Sequence, residues 1–170
     1  GLASTLNIHY KQPSEFSGSL NIGLLGGSLH LEGISMNRRF TYLVGGRHKT
    51  SEYLLNTLET EGEYRPRFSD IQTYLNYDLS KNELLGKTEI GLLFSYAQNR
   101  YLVQPTSRET TFGTFNDQKR LFVAFDGQEK LTYDTWQSGI KFSHRLSARW
   151  KTHLILSGTY SMEREYYDIE

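Results

Sequence analysis

Residues 68–105 read FSDIQTYLNYDLSKNELLGKTEIGLLFSYAQNRYLVQP. Ile71, Thr73, Leu75, Tyr77 and Leu79 take the odd positions, and Asp70, Gln72, Tyr74, Asn76 and Asp78 the even ones. After the polar turn Ser80-Lys81-Asn82-Glu83 the alternation resumes. Ile90, Leu92, Phe94 and Tyr96 share one parity; Gly91, Ser95 and Asn99 share the other, with Leu93 as the exception. Successive strand residues point to opposite faces, so this period of two predicts two half-buried strands joined in a hairpin. Their apolar face must be covered by a protein core or by lipid.

The same rhythm extends outward in both directions. Leu6, Ile8 and Tyr10 alternate with Asn7, His9 and Lys11, which predicts a short strand ended by Gln12-Pro13-Ser14. Leu20, Ile22 and Leu24 share one parity, and Leu29 and Leu31 the other, with Gly26-Gly27 between them. That flip fits a bulge or a tight hairpin at the glycines, and the hairpin is preferred. Beyond the polar turn at 35–39, Phe40, Tyr42 and Val44 face one way and Thr41, Gly45 and Arg47 the other. The pattern dissolves over 49–67, where Tyr53-Leu54-Leu55 suits a helical turn, and again over 106–119. Leu121, Val123 and Phe125 open a strand that continues through Trp136, Ile140 and Phe142, with an irregularity near 127–131. Leu154, Leu156, Tyr160 and Met162 define the last strand.

Composition narrows the function classes. The 19 basic and 19 acidic residues balance, so no electrostatic footprint for nucleic acid exists. The absence of cysteine excludes disulfide frameworks and cysteine-zinc sites. Tyrosine is abundant at 12, with 9 Phe and 2 Trp, while proline is scarce at 3, a balance that suits long strands with interfacial aromatics. No apolar run approaches the ~20 residues of a spanning helix, but a spanning strand needs only ~9–11 alternating residues. The chain opens at Gly1 without a charged and apolar leader. An outer-membrane protein needs one, so a mature or internal segment is expected.

The connections alternate in length: short after Ile34, long after Lys49, short after Ser80, long after Pro105, short after Leu146. A transmembrane β-barrel has this asymmetry, with short turns on one side and long loops on the other. Tyr42, Tyr77, Tyr96, Trp136 and Tyr160 stand near strand ends, as interfacial girdles do. The expected fold is all-β, with antiparallel up-and-down strands forming a partial transmembrane β-barrel. A soluble antiparallel sheet, acting as a binding or adhesion module, stays open on the pattern alone.

Several short motifs, taken in order, are similar to one family. Ala3-Ser4-Thr5-Leu6-Asn7-Ile8-His9-Tyr10-Lys11 resembles the last plug strand of TonB-dependent outer-membrane receptors. Gly18-Ser19-Leu20-Asn21-Ile22-Gly23-Leu24-Leu25 resembles their first barrel strand. Leu31-Glu32-Gly33, Phe40-Thr41-Tyr42-Leu43, Gly46-Arg47 and Pro66-Arg67-Phe68-Ser69-Asp70-Ile71-Gln72 resemble the early barrel of the Bacteroidetes branch. The resemblance implies an internal fragment: residues 1–12 as the end of the plug and 16–170 as about seven strands of a barrel that has ~22. It implies energised uptake of a siderophore, glycan, peptide or vitamin across the outer membrane, without enzymatic chemistry or a cofactor. Implied partners are outer-membrane lipid, the protein's own plug, the TonB-ExbB-ExbD system and a surface lipoprotein.

Candidate site residues follow from strand parity. Glu32 and Arg47 fall on the inward side, where they either contact the plug or are solvated. Tyr53, Tyr64, Arg65, Arg108, Phe112 and Phe115 fall in the long connections, where they either capture ligand or pack together. His30 and His153 also point inward, and no HExxH arrangement marks a metal site. A Ser/His lipase built on Ser143-His144 or on His153 and Ser157 lacks a GxSxG motif. Adjacent strand residues also diverge to opposite faces.

Overall fold

The computed structural model of the chain describes residues 8–51, 62–80, 86–105, 108–114, 117–123, 127–147 and 149–169. All regular structure among them is β. The strands are β1 (Ser17–Gly23), β2 (Gly26–Ile34), β3 (Phe40–Thr50), β4 (Gly62–Tyr64), β5 (Arg67–Asp78), β6 (Thr88–Pro105), β7 (Arg108–Thr114), β8 (Asp117–Val123), β9 (Gly127–Arg145) and β10 (Lys151–Ile169). One sheet runs β1-β2-β3-β5-β6-β9-β10, with β4 also paired to β6 and every neighbour antiparallel. The expected all-β, antiparallel, up-and-down order is therefore present. The sheet is open, with β1 and β10 as its edges. No helix among the described residues is long and apolar enough to cross a membrane, which says nothing about strands.

Register sorts the side chains onto two faces. One cross-sheet row is Ser17, Glu32, Leu43, Tyr74, Leu93, Gly139 and Ser157. This face carries Ser28, His30, Arg47, Asp70, Asn76, Glu89, Ser143 and His153, and is polar apart from a central apolar island and a second group, Phe68, Tyr101, Leu131 and Tyr133, toward one end of the strands. The opposite face carries Leu20, Leu29, Val44, Leu75, Leu92, Phe94, Ile140, Leu154 and Leu156 on neighbouring strands.

Globular domains bury such a face against a second layer. Here none exists among the described residues. Among the described residues Leu43 and Pro13 are the buried apolar side chains, whereas Glu32, Thr41, Asn76, Thr132, Asp134 and Ser143 are buried polar groups. Ile22 is 83% exposed, Leu156 65% and Leu154 58%. The usual segregation is inverted.

Four sequence expectations are refined. The first hairpin turns at Leu24-Leu25, because Gly23 pairs with Gly26. Gly26 is required one step later: its φ is +125°, and a Cβ there would lie 2.0 Å from the His48 carbonyl oxygen. Gly62 to Tyr64 is not loop but strand, in the same register against β6 as β5. Arg65 donates its N–H to the Leu102 carbonyl across the gap, while Pro66 has no N–H to offer β3. Most of the supposed 106–119 connection is the β7–β8 ribbon, paired from Arg108↔Val123 to Thr114↔Asp117. Ile8 to Gln12, expected in a strand, join no ladder, because they lie across the sheet face and not along an edge. The helical turn proposed at Tyr53-Leu54-Leu55 and most of the Ser80-Lys81-Asn82-Glu83 turn lie outside the described residues.

Candidate functional site: a polar sheet face carrying the N-terminal segment

The N-terminal segment is held on the polar face at three places. Tyr10 stacks on Tyr74, with ring centroids 4.6 Å apart and planes 10° from parallel. Lys11 Nζ donates to Glu32 Oε1 at 2.8 Å and lies 2.6 Å from Oε2. Gln12 Nε2 donates to Glu89 Oε1 at 3.1 Å. The sheet prepares each anchor. Tyr74 lies over Gly91 on β6, where an added Cβ would meet its hydroxyl at 2.5 Å. His30 Nε2 pairs with Glu32 Oε2 at 2.8 Å, and Lys87 Nζ with Glu89 Oε1 at 2.7 Å. Ile8, Tyr10, Tyr74, Leu93 and Ile155 line a groove of about 270 Å³ between segment and sheet. The island of apolar residues on the polar face, Leu93 included, lies where the segment crosses.

These contacts are few and mostly polar. An exposed ion pair is worth little in water, because two long side chains lose freedom and the charges are screened. Lys11 is 64% exposed while the Glu32 carboxylate is 10% exposed, so the cation is the mobile partner. The arrangement seats a segment without cementing it.

Glu32 thus contacts the N-terminal segment directly. Arg47, its companion in the sequence reading, bonds within the sheet. Its Nε donates to both Asp70 oxygens at 3.0 Å, and its guanidinium lies 4.9 Å from the Phe68 ring centroid. Four of the six loop candidates fall among the described residues, in β4, just after it, and in β7. Tyr53 and Phe115 lie outside the described residues. Tyr64 belongs to β4, opposite Val103, and Arg65 follows it. Arg108 and Phe112 belong to β7 and not to a loop, since the stretch that holds them pairs with β8. Phe112 stands 53% exposed opposite Lys119.

Ser143 Oγ and His153 Nδ1 are 2.9 Å apart, and Glu89 faces Ser143 across the ladder. The order along the row is acid, serine, histidine. A nucleophilic triad needs the histidine between the other two, so that the acid orients the base. Glu89 is instead held by Lys87 and Gln12. Among the described residues no three His, Cys, Asp or Glu side chains gather as metal ligands.

The sequence reading missed one buried cluster on the apolar face. Asp134 is 1% exposed and accepts from Tyr96 Oη at 2.8 Å, Gln98 Nε2 at 2.7 Å and Arg164. It sits beside an aromatic row in which Tyr96 and Trp136 are 4.8 Å apart and Trp136 and Tyr160 6.0 Å. The available signal was an acid on the parity of Trp136, with Gln98 and Arg164 on the matching parities of adjacent strands.

Compared with protein-family models, curated proteins and solved structures, the chain matches none.

Proposed function

We propose that the chain is part of a TonB-dependent outer-membrane transporter, in which its sheet forms part of a β-barrel wall and its N-terminal segment the end of the plug. The observation that carries this reading is the inverted segregation of side chains: an uncovered apolar face opposite a polar face that holds a chain segment. Lipid covers such an outer face without any second protein layer, and barrel lumens are polar. The aromatic row of Tyr96, Trp136 and Tyr160 fits one membrane interface, and Tyr42 and Tyr77 toward the opposite strand ends fit the other. The cargo is a nutrient of the siderophore, glycan, peptide or vitamin class. Transport uses no bond chemistry: ligand binds the long connections and plug, the TonB system pulls the plug, and the segment bearing Tyr10, Lys11 and Gln12 leaves the wall.

The test is a pair of spin labels in the intact protein within its membrane. A label at Leu92 should be relaxed by oxygen, which concentrates in lipid, and one at Ser95 by a water-soluble nickel complex. A Leu92 label shielded from both agents would mean a protein layer covers the face. The chain would then be a soluble or surface β-sheet module for binding or adhesion.

A further inference from the structure

We propose that the outward face just above the aromatic row binds the phosphate of an anionic membrane lipid through Arg100, Lys130 and Arg164; this rests on the bilayer reading above. On three adjacent strands the apolar parity turns polar within two neighbouring rows. Gln98 follows Tyr96 on β6 and Asp134 precedes Trp136 on β9 at the row of Met162, and β10 turns polar one row later, at Arg164. One step higher, Arg100, Thr132 and Arg164 are direct neighbours across the sheet, and Lys130 pairs with Tyr166 in the next row. Together they line a groove of about 470 Å³.

The charges around this groove do not cancel. Asp134 forms a buried anchor whose oxygens are taken by Tyr96, Gln98 and Arg164. It neutralises and holds Arg164. Arg100 and Lys130 have no ion-pair partner among the described residues. Glu163 and Glu165 point to the opposite face, and Asp168 stands beyond Tyr166. An anion is therefore the complementary ligand. Arginine suits phosphate in particular, since its planar fork donates two parallel hydrogen bonds.

Position selects a lipid over free phosphate. A strand rises ~3.3 Å per residue and tilts ~40° in a barrel, so Arg100 stands roughly 10 Å above Tyr96. The headgroup layer is roughly 5–8 Å deep, and long basic side chains reach down into it. Directly below lie Trp136 and the exposed Phe94, Ile140 and Leu156, a surface for acyl chains. A free anion would use the groove and leave that surface idle.

Native mass spectrometry of the intact protein, released from detergent with phosphatidylglycerol or phosphatidylcholine of equal chain length, reads the site. The expected result is a preference of about tenfold for phosphatidylglycerol. It should vanish in the Arg100→Ala/Lys130→Ala variant and be intermediate in Lys130→Ala, a change at an unpartnered side chain that spares the fold. No preference in the parent protein, or an undiminished one in both variants, would overturn the site. Displacement of the lipid by millimolar inorganic phosphate would reassign it to a free anion. Co-flotation with neutral vesicles separates the two ideas: a protein that floats but shows no preference loses only the lipid site, and one that never floats loses the barrel reading as well.

Discussion

At the residue scale, Gly91 and Tyr74 link the sheet to the segment lying on it. Tyr74 is the largest side chain in the middle of the polar face, and its ring lies flat only because nothing projects from Gly91. That flat ring is the surface on which Tyr10 stacks. Gly91→Ala would place a methyl 2.5 Å from the Tyr74 hydroxyl, so the ring must lift. The clash falls on the far end of a side chain, which moves more cheaply than backbone. We expect Gly91→Ala to leave the strands paired and to raise hydrogen exchange at residues 8–13 in the intact protein. Gly33→Ala is the matched control. It presses on Tyr42 in the same way, but on the face away from the segment. Equal exchange at 8–13 in both variants and the parent would show that the tyrosine stack does not hold the segment.

At the element scale, β6 tests what the apolar face meets. Its outward residues Ile90, Leu92, Phe94 and Tyr96 form an unbroken band, with Leu92 41% and Phe94 46% exposed. In a bilayer, Leu92→Arg should cost about 2–4 kcal/mol, the penalty of a cation on the lipid face near the midplane. Ser95→Arg, on the polar face, should cost close to nothing. Urea titration of the intact protein in lipid vesicles reads both, and equal costs would contradict a lipid-facing band. The alternation that defines this band was plain in the sequence, as was the parity flip of the first hairpin, because each depends only on the period of two; the strand expected to run from Leu121 through Phe142 is instead two, β8 in the ribbon and β9 in the main sheet. Less was legible where geometry is set by pairing partners. The glycines at 26–27 drew the turn toward themselves, although the backbone constraint at Gly26 comes from His48 on β3. The ribbon was hidden up to Arg120 because threonine and charged residues dominate β7 and the first half of β8, and only its end at Leu121 and Val123 read as strand. Of the candidate site, Glu32 was readable from its parity, but Lys11, Gln12, Tyr74 and Glu89 meet only once a segment crosses the sheet. No sequence period encodes such a crossing.

At the scale of the whole molecule, the main sheet is an open layer that no second layer covers among the described residues. β1 and β10 are exposed along their lengths, and β10 offers an edge of 19 residues. Unpaired edges of this length are templates for adding another strand, and here an uncovered apolar face lies beside them. Water can hydrogen-bond the edges, but it cannot cover the apolar face. The remaining strands of a barrel would satisfy the edges, and lipid the face. The 170 residues expressed alone and moved from denaturant into buffer should therefore form β-rich aggregates, and in detergent micelles they should associate through their edges without reaching a discrete monomer. Light scattering with circular dichroism distinguishes these outcomes from folding. A soluble, monodisperse monomer in plain buffer would mean that the chain covers its own apolar face, and the wall of a larger barrel would no longer be the way to understand it.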